Sequence, residues 1–554
     1  MRHQSPRYAY RRPRDMDGAA TRHPVVIVGG GLVGLTLALD LEQRGVHCVL
    51  LDDGDTVSIG SRAICFAKRT LEIYGRLGLG ERMLGKGVTW NTGKVFFQDR
   101  QLFAFDLLAE PGHEYPACIN LQQYYAEEWL VEACREAGVD LRWRNRLVGV
   151  ESCPDHAALD VETPDGRYRI TVDWLLACDG ARSFVRESLG LRFEGKVFHD
   201  HFLIADVVMQ ADFPTERWFW FDPPFHPNQS VLLHKQPDDL WRIDFQLGPD
   251  ADPETERRPE RVVPRIRAML GEAVPFELEW VSVYTFCCRR LERFVHGRVI
   301  FAGDAAHQVS PFGARGGNGG VQDADNLAWK LAAVVHDEAP VALLASYDAE
   351  RIPAAEENIL NSTRSTDFIT PKSEAARAYR NAALTLAEQF GFARPLINSG
   401  RLSRPALLAN SPLNPPHAAR WDGSLAPGSP AIDAPVERDG QPDWLLRHIG
   451  GARFTLVCFG QDDAFSRGRL DLAPLSVSLV VIAAGAAPAP PGGVLLVDRS
   501  GLAARRYGAL PGSCLLLRPD QHAVGWFRRF DAGAIRAAMR YALGAQPTTL
   551  AESA

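Results

Sequence analysis

Four apolar β-formers, Val25-Val-Ile-Val28, run without interruption into Gly29-Gly-Gly-Leu-Val-Gly34. An unbroken apolar run closed by glycine reads as a buried parallel strand. Leu35, Leu37, Leu39 and Leu41 follow in a segment that reads helical, and Cys48-Val-Leu-Leu51 is a second buried strand ending at Asp52. Leu121 to Cys134 opens an amphipathic helix. Residues 159–172, with Pro164-Asp165-Gly166 at their centre, read as a β-hairpin, and Val172 to Cys178 as a buried strand ending at Asp179-Gly180. Between 190 and 289 the period falls to two, in Phe202–Val208, Arg217–Phe221, Ser230–His234 and Trp241–Leu247. That is the pattern of an antiparallel sheet. Glu374 to about Phe390 is helical, with Ser373 placed to cap it. Beyond a Pro-, Gly- and Asp-rich stretch at 409–443, the runs 454–460, 476–482, 493–497 and 513–518 predict strands, and 532–543 a closing helix.

The predicted fold is α/β. A doubly wound dinucleotide-binding domain occupies residues 23–189 and resumes at 290–408 with a helical region. An antiparallel β-sheet is inserted at 190–289. Residues 1–22 form an N-terminal extension, 409–443 a linker, and 444–554 a C-terminal domain.

Composition narrows the class. The chain has 554 residues, 46% hydrophobic and 23% charged, enough for two or three domains with large cores. A net charge of −7 and a pI near 6.1 imply no broad basic surface for nucleic acid. No apolar run reaches the roughly 18 residues that span a bilayer. Leu475 to Ala487, which includes Ser476, Ser478 and Gly485, reads instead as a buried strand and its exit. Ten cysteines without a CxxC pair fit a reduced, cytoplasmic compartment. No compact His, Cys or acidic spacing suggests a metal. Arg2, Arg7, Arg11, Arg12 and Arg14 precede the first acidic residue, Asp15, but arginine dominates the basic residues throughout. Pro6 and Pro13 interrupt any amphipathic helix there. A surface-packed extension and a targeting leader both remain open.

The glycine run carries the first chemistry. Gly29 permits a tight turn, Gly31 lets the backbone approach a pyrophosphate, and Gly34 lets helix and strand pack closely. The following helix presents free N–H groups to phosphate. Asp52, about 20 positions on, stands where an acidic side chain takes ribose hydroxyls.

Two later runs, Asp179-Gly-Ala-Arg-Ser-Phe-Val-Arg186 and Gly303-Asp-Ala-Ala-His-Gln-Val-Ser-Pro311, complete a resemblance. With Ser61-Arg-Ala-Ile64 and Asp323 to Leu331, they resemble the motifs of the single-component FAD-dependent aromatic hydroxylases. That is the p-hydroxybenzoate and phenol hydroxylase superfamily, here closest to the 3-(3-hydroxyphenyl)propionate hydroxylase-like branch. The resemblance covers about residues 23 to 540. It implies a non-covalent FAD, with NADH or NADPH and O2 as co-substrates. A flavin C4a-hydroperoxide would transfer oxygen to a phenolic ring. A larger polyketide or indole-type substrate, oxidised or epoxidised, is the alternative, and a non-catalytic flavin redox sensor stands in another class. The resemblance also implies a small aromatic substrate, aromatic catabolism, no nucleic-acid partner, a possible homodimer and a thioredoxin-like C-terminal domain. Without a CxxC, Cys458 and Cys514 are expected to be structural.

Carried over residue by residue, Arg62 and Gln123 reach FAD, with Gln122 adjacent and the choice between them open. Asp179 serves the FAD side, Asp304 the ribityl chain, and Pro311 the isoalloxazine ring. Gly316, Gly317 and Asn318 direct backbone N–H groups at the flavin N1–C2=O edge. Related sequences often carry Gln where Arg315 stands. Arg182 and Arg186 either bind NAD(P)H phosphate or brace the motif. His307 is expected to be structural. For the substrate pocket the candidates are Trp218, Trp220 and Phe221, with Phe225 nearby, and alternation puts Trp218 and Trp220 on one face and Phe219 and Phe221 on the other. Tyr284 and His234 are the candidate catalytic, phenol-contacting or proton-relay groups.

Overall fold

Five parallel strands run in the order Asp140–Trp143, Cys48–Asp52, Arg22–Val28, Gly166–Ala177, Val299–Phe301. By chain order that is 3-2-1-4-5, a doubly wound sheet whose order reverses between the first and fourth strands. Ligands of such sheets bind outside the carboxyl ends at that reversal. The strand cores are apolar because both faces are covered: Val25, Val26 and Ile27 are fully buried, as are Leu175, Leu176 and Ala177. Helix Leu32–Gln43 covers one face beside helix Gly316–Val335. The expected hairpin pairs Thr163 with Gly166 through to Ala157 with Val172. The computed structural model describes residues 3–545, apart from 19–20, 61, 109, 211–212, 249, 398–402, 417–422, 461–475 and 486. Ser61 therefore lies outside the described residues, as do parts of the expected linker.

The second sheet has eight strands in the order His307–Gln308, Phe276–Leu291, Phe193–Met209, Leu240–Gln246, Ser230–Lys235, Arg217–Phe221, Thr92–Phe97, Arg100–Asp106. Its centre is the inserted sheet, but its edge strands differ from the expected boundary. Residues 92–106 precede the insert in sequence, and Thr92–Phe97 joins in parallel with Arg217–Phe221. Parallel neighbours need a long crossover, so no local turn signals the pairing.

In the third sheet, Phe454–Phe459, Val477–Ala483 and Gly493–Val497 run parallel, while Cys514–Leu517 and Ala523–Phe527 continue antiparallel. The hairpin Pro435–Arg438 and Gln441–Trp444 extends it, so the end of the expected linker belongs to this sheet. Cys458 and Cys514 are register partners, both fully buried, with sulfurs 3.3 Å apart. Their 56-residue separation concealed that contact.

The extension packs on the first domain. Tyr8 stacks on Trp143 with centroids 4.4 Å apart and donates its N–H to Asp55 O, while Asp15 meets His23 and Arg142. Ser373 caps helix Glu374–Gln389 by accepting the Ala376 N–H. Among the described residues, no helix is long and apolar enough to cross a membrane.

Candidate active site

All three motifs leave the ends of neighbouring parallel strands. Val28 leads into Gly29, Ala177 into Cys178 and Asp179, and Phe301 into Gly303 and Asp304. Sequence separation vanishes at the sheet end, which is why runs some 150 residues apart form one crevice. Gly29 has φ +106°, and a Cβ there would lie 2.4 Å from Cys178 O. A Cβ at Gly34 would lie 2.0 Å from Gly29 O, so helix and strand could not close. Gly31 is different: a Cβ would meet only Glu127 Oε1, at 3.6 Å, which leaves the approach to the helix open.

Asp52 accepts the Gly30 N–H at 2.6 Å and the Gly54 N–H at 2.7 Å. It thereby fixes the turn and still has lone pairs for ribose hydroxyls. Burial raises its carboxyl despite those two bonds. Glu127, which sequence reasoning missed, is buried and accepts the N–H groups of Leu32 (3.0 Å) and Ser58 (2.8 Å). Its signal was faint, a glutamate one turn beyond Gln123. Gln123 donates to Glu127 at 2.7 Å and accepts from Ala63 N–H at 2.9 Å, which anchors the segment carrying the exposed Arg62. Gln122 turns the other way and donates to Pro237 O.

Asp179 Oδ2 accepts the Val185 N–H at 3.0 Å, while its buried Oδ1 has no partner among the described residues. Burial again raises this carboxyl. Asp304 is solvent-accessible, yet surrounded closely enough for desolvation to raise it. An accessible group within dense protein is the floor of a cleft. Arg182, three residues beyond Asp179, is exposed. Arg186 is buried and donates to Ala181 O and Ala305 O, over the Phe193 ring at 4.1 Å. Those are the contacts of a brace, not of a free phosphate ligand. His307 Nε2 lies 2.6 Å from Asp323 Oδ2, and Arg351 holds Asp323 Oδ1 at 2.7 Å. Burial pushes Asp323 up, but His307 and Arg351 outweigh it and hold it below the usual range. The histidine belongs to the scaffold.

Pro311 is exposed at the cleft edge, and Ala314 carries φ +52°, a strained conformation for alanine. Such strain persists where surrounding contacts fix it. Here Asn318, one turn into helix Gly316–Val335, bonds Ala314 O, Cys65 O and Ala67 N with its side chain. Its side chain is therefore a clamp, and only its N–H is free for the role expected of it. Gly316, Gly317 and Asn318 stand in the first turn, whose N–H groups have no intrahelical acceptor. Arg315 turns to Asn358 Oδ1 at 2.9 Å. The orphaned Asp179 oxygen, the open approach at Gly31 and the free first turn together fit FAD, which the residues named would hold along the strand ends.

The second sheet faces this crevice with one side only. Phe202 and Phe286 pack on Phe312, 5.1 and 5.3 Å away, and Phe219 and Phe221 belong to the same cluster. Trp218 and Trp220 alternate to the opposite face, against Phe213, Phe225 and Trp241. They are therefore corrected from pocket residues to packing residues of the far side. Phe221 keeps the near face but is fully buried against Phe368.

Tyr284 and His234 share the near face and do not meet. Tyr284 pairs with Phe202, which pairs with Gln246. His234 pairs with Arg242, which pairs with Asp206 and then Trp280. Three strand spacings and four residues separate them, about 19 Å on ideal sheet dimensions. They cannot both act on one phenol oxygen. Between their rows lie Ile204, Leu232, Asp244 and Ser282.

The His234 row is polar. Arg242 pairs with Asp206 at 3.0 Å and donates to Arg62 O at 3.0 Å. His234 Nε2 stands 3.9 Å from Asp244 Oδ2. Cys65 lies close by, its thiol held well below its usual range chiefly by Cys118, with His234 and Arg217 contributing against burial. Among the described residues, no group of His, Cys, Asp or Glu could hold a metal.

The family model described as FAD binding domain matches residues 22–362. The chain is 34% identical over 530 residues to 6-methylpretetramide 4-monooxygenase of Streptomyces rimosus, covering 92% of this chain and 90% of that one. It is 27% identical to a 3-(3-hydroxy-phenyl)propionate/3-hydroxycinnamic acid hydroxylase of Mycolicibacterium smegmatis, covering 90% of each. Its fold is similar to that of the flavin-dependent monooxygenase PieE, solved with FAD and substrate. There the TM-score is 0.78 at 24% identity, over 95% of this chain and 99% of that one.

Proposed function

The chain belongs to the FAD-binding-domain family of flavin-dependent monooxygenases, and on that premise we propose that it uses NAD(P)H and O2 to hydroxylate a phenolic ring, with a fused polycyclic phenol the favoured substrate. The observation that carries the reading is the buried, unpartnered Oδ1 of Asp179 at the reversal of strand order. An orphaned buried acceptor is costly unless a ligand donor meets it. The size class draws its support from the relative named for 6-methylpretetramide, which matches nearly the whole chain. A single-ring substrate, as in the name of the phenylpropionate relative, is the second reading.

Bound FAD would supply the redox chemistry and the activated oxygen. The chain supplies the rest. Asp52, Asp179 and Asp304 offer carboxylate oxygens to hydroxyl groups along the cofactor. The first turn of Gly316–Val335 sets its positive end against developing negative charge. Phe202, Phe219, Ile204 and Leu232 present an apolar wall that excludes water from the oxygen-transfer step. Arg182, exposed in the second motif, is the remaining candidate for nucleotide phosphate.

Purified protein is expected to carry non-covalent FAD. A panel of monocyclic phenols, polycyclic phenols and indoles is then followed for NAD(P)H oxidation, hydrogen peroxide and product mass together. Stimulated oxidation with a product one oxygen heavier supports the proposal. Folded protein that takes up no added FAD refutes it. FAD uptake without substrate-stimulated turnover points to a sensor.

A further inference from the structure

Arg217 opens the strand Arg217–Phe221 and is only 8% exposed. Among the described residues its side chain makes no hydrogen bond and no ion pair, and its buried Nε is unpartnered. Its guanidinium carbon stands 6.0 Å from the Trp90 ring. A buried cation with no counter-ion bonded to it is a costly arrangement. The neighbouring Arg242 shows the ordinary solution, with Asp206 at 3.0 Å. Asp244 does not play that part for Arg217. It feels the Arg217 charge but makes no ion pair with it, and desolvation raises its carboxyl against His234, Arg242 and Arg217, so it is a poor counter-ion.

The orphan atoms cluster. His234, 3% exposed, has an unpartnered Nδ1, and Asp244 an unpartnered Oδ1. Arg217, His234 and Asp244 all act on the near face of the sheet. Trp90, Cys65 and Cys118 form the opposing wall with Ala314. Cys65 O is in turn held by Asn318 Nδ2 at 2.8 Å, in the first turn that faces the cofactor site. Unused donors and acceptors of both signs therefore converge on one face of the sheet, opposite the segment that Asn318 ties to the glycine-rich helix.

We propose that Arg217, His234 and Asp244 form a recognition subsite for an acidic hydroxyl of the substrate, a phenol or enol bound as its oxyanion. Arg217 supplies the counter-charge, and His234 and Asp244 satisfy the adjoining hydroxyl or carbonyl. This rests on the monooxygenase reading and deepens it: the substrate is ionisable beside the ring, so neutral indoles and hydrocarbons are disfavoured.

The test compares hydroxyl compounds with their methyl ethers on the FAD-loaded protein. The probes are 4-nitrophenol against 4-nitroanisole, and 2-hydroxy-1,4-naphthoquinone against its 2-methoxy ether. Binding is read by tryptophan quenching and by perturbation of the flavin spectrum. At least one hydroxyl compound is expected to bind about tenfold or more tighter than its ether, the worth of one charged hydrogen bond. Arg217→Gln should abolish the preference while FAD content is kept, and Arg217→Lys should retain part of it. Arg217→Met should raise the Tm of the substrate-free protein, because it removes an unpaired buried charge. A structural arginine would instead lower it. Equal binding of ethers and hydroxyls, binding of neither, or a preference that survives Arg217→Gln overturns the subsite. Quenching needs no turnover, so absence of any oxygenated product counts against the monooxygenase reading alone.

Discussion

Glu350 is the buried pivot between the flavin-site scaffold and the C-terminal domain, and neutralising it should cost stability in a pH-dependent way. Its carboxylate is fully buried and meets Lys330 Nζ at 2.6 Å, Arg518 Nη1 at 2.6 Å and Asn326 Nδ2 at 2.7 Å. Despite burial, Arg518 and Lys330 hold it far below the usual carboxylate range. Lys330 is pushed down to about 8, mainly by desolvation and against the pull of Glu350. Glu350→Gln removes that pull, so the Lys330 ammonium should lose its proton throughout the neutral range. Above pH 8 the wild-type lysine is already neutral, and the penalty is only the weakened bonds to Arg518 and Asn326, about 2 kcal/mol. Below pH 8 the folded wild type binds one proton that the variant does not. Its relative stability then grows by about 1.4 kcal/mol per pH unit as pH falls. The penalty should therefore be about 2 kcal/mol at pH 9, between about 3 and 4 at pH 7, and near 5 at pH 6. Urea unfolding of holoprotein at these pH values measures it, with Lys330→Met as the background in which the slope disappears. A penalty that does not change between pH 6 and pH 8, or one below about 1 kcal/mol at pH 7, would refute the reasoning.

Two further outcomes bear on the site. Gly34→Ala places a methyl 2.0 Å from a backbone oxygen with no flexible side chain to yield; holoprotein should be lost, as read by flavin absorbance and thermal melts, and normal FAD content would refute the close packing. Trp220→Leu should lower stability by a few kcal/mol and leave substrate affinity within about twofold, whereas Phe219→Leu should change substrate affinity more than stability, as measured by quenching titrations and melts; the reverse pattern would mean that the near and far faces are exchanged.

The first sheet and its three strand-end motifs were legible because their constraints are local. Gly29 needs φ +106° within its own turn, and Val25 to Val28 need burial on both faces whatever the neighbour. The resemblance supplied the rest of that site. What stayed hidden depends on partners distant in sequence. Alternation separates Trp218 and Trp220 from Phe219 and Phe221, but only Phe312 and Phe368, far later in the chain, decide which pair faces the crevice. Thr92–Phe97 enters the second sheet beside Arg217–Phe221 without any turn to announce it. The pairing of Cys458 with Cys514 was hidden for the same reason.

Arg217 marks a different kind of limit. Its residue type says nothing in a chain rich in arginine, and its strand gives it no special pattern. The informative property is a missing partner, and that can be seen only once every neighbour has been placed. A sequence that folds uniquely satisfies its buried polar groups at nearly every position, so local and tertiary preferences agree. Where they disagree, stability has been surrendered for something, and the site of surrender is where ligand chemistry is expected. Ala314, Asp179 and Arg217 each break a local rule: a left-handed alanine, an orphaned carboxylate oxygen and an unpaired buried cation. Asp179 and Ala314 belong to the strand-end crevice and the loop that leads into its glycine-rich helix, and Ala314 shares the wall of Trp90 and Cys65 that Arg217 faces. The cofactor accounts for the carboxylate, while the guanidinium that faces that wall has no anion bonded to it. The remaining charge is the one the substrate must bring.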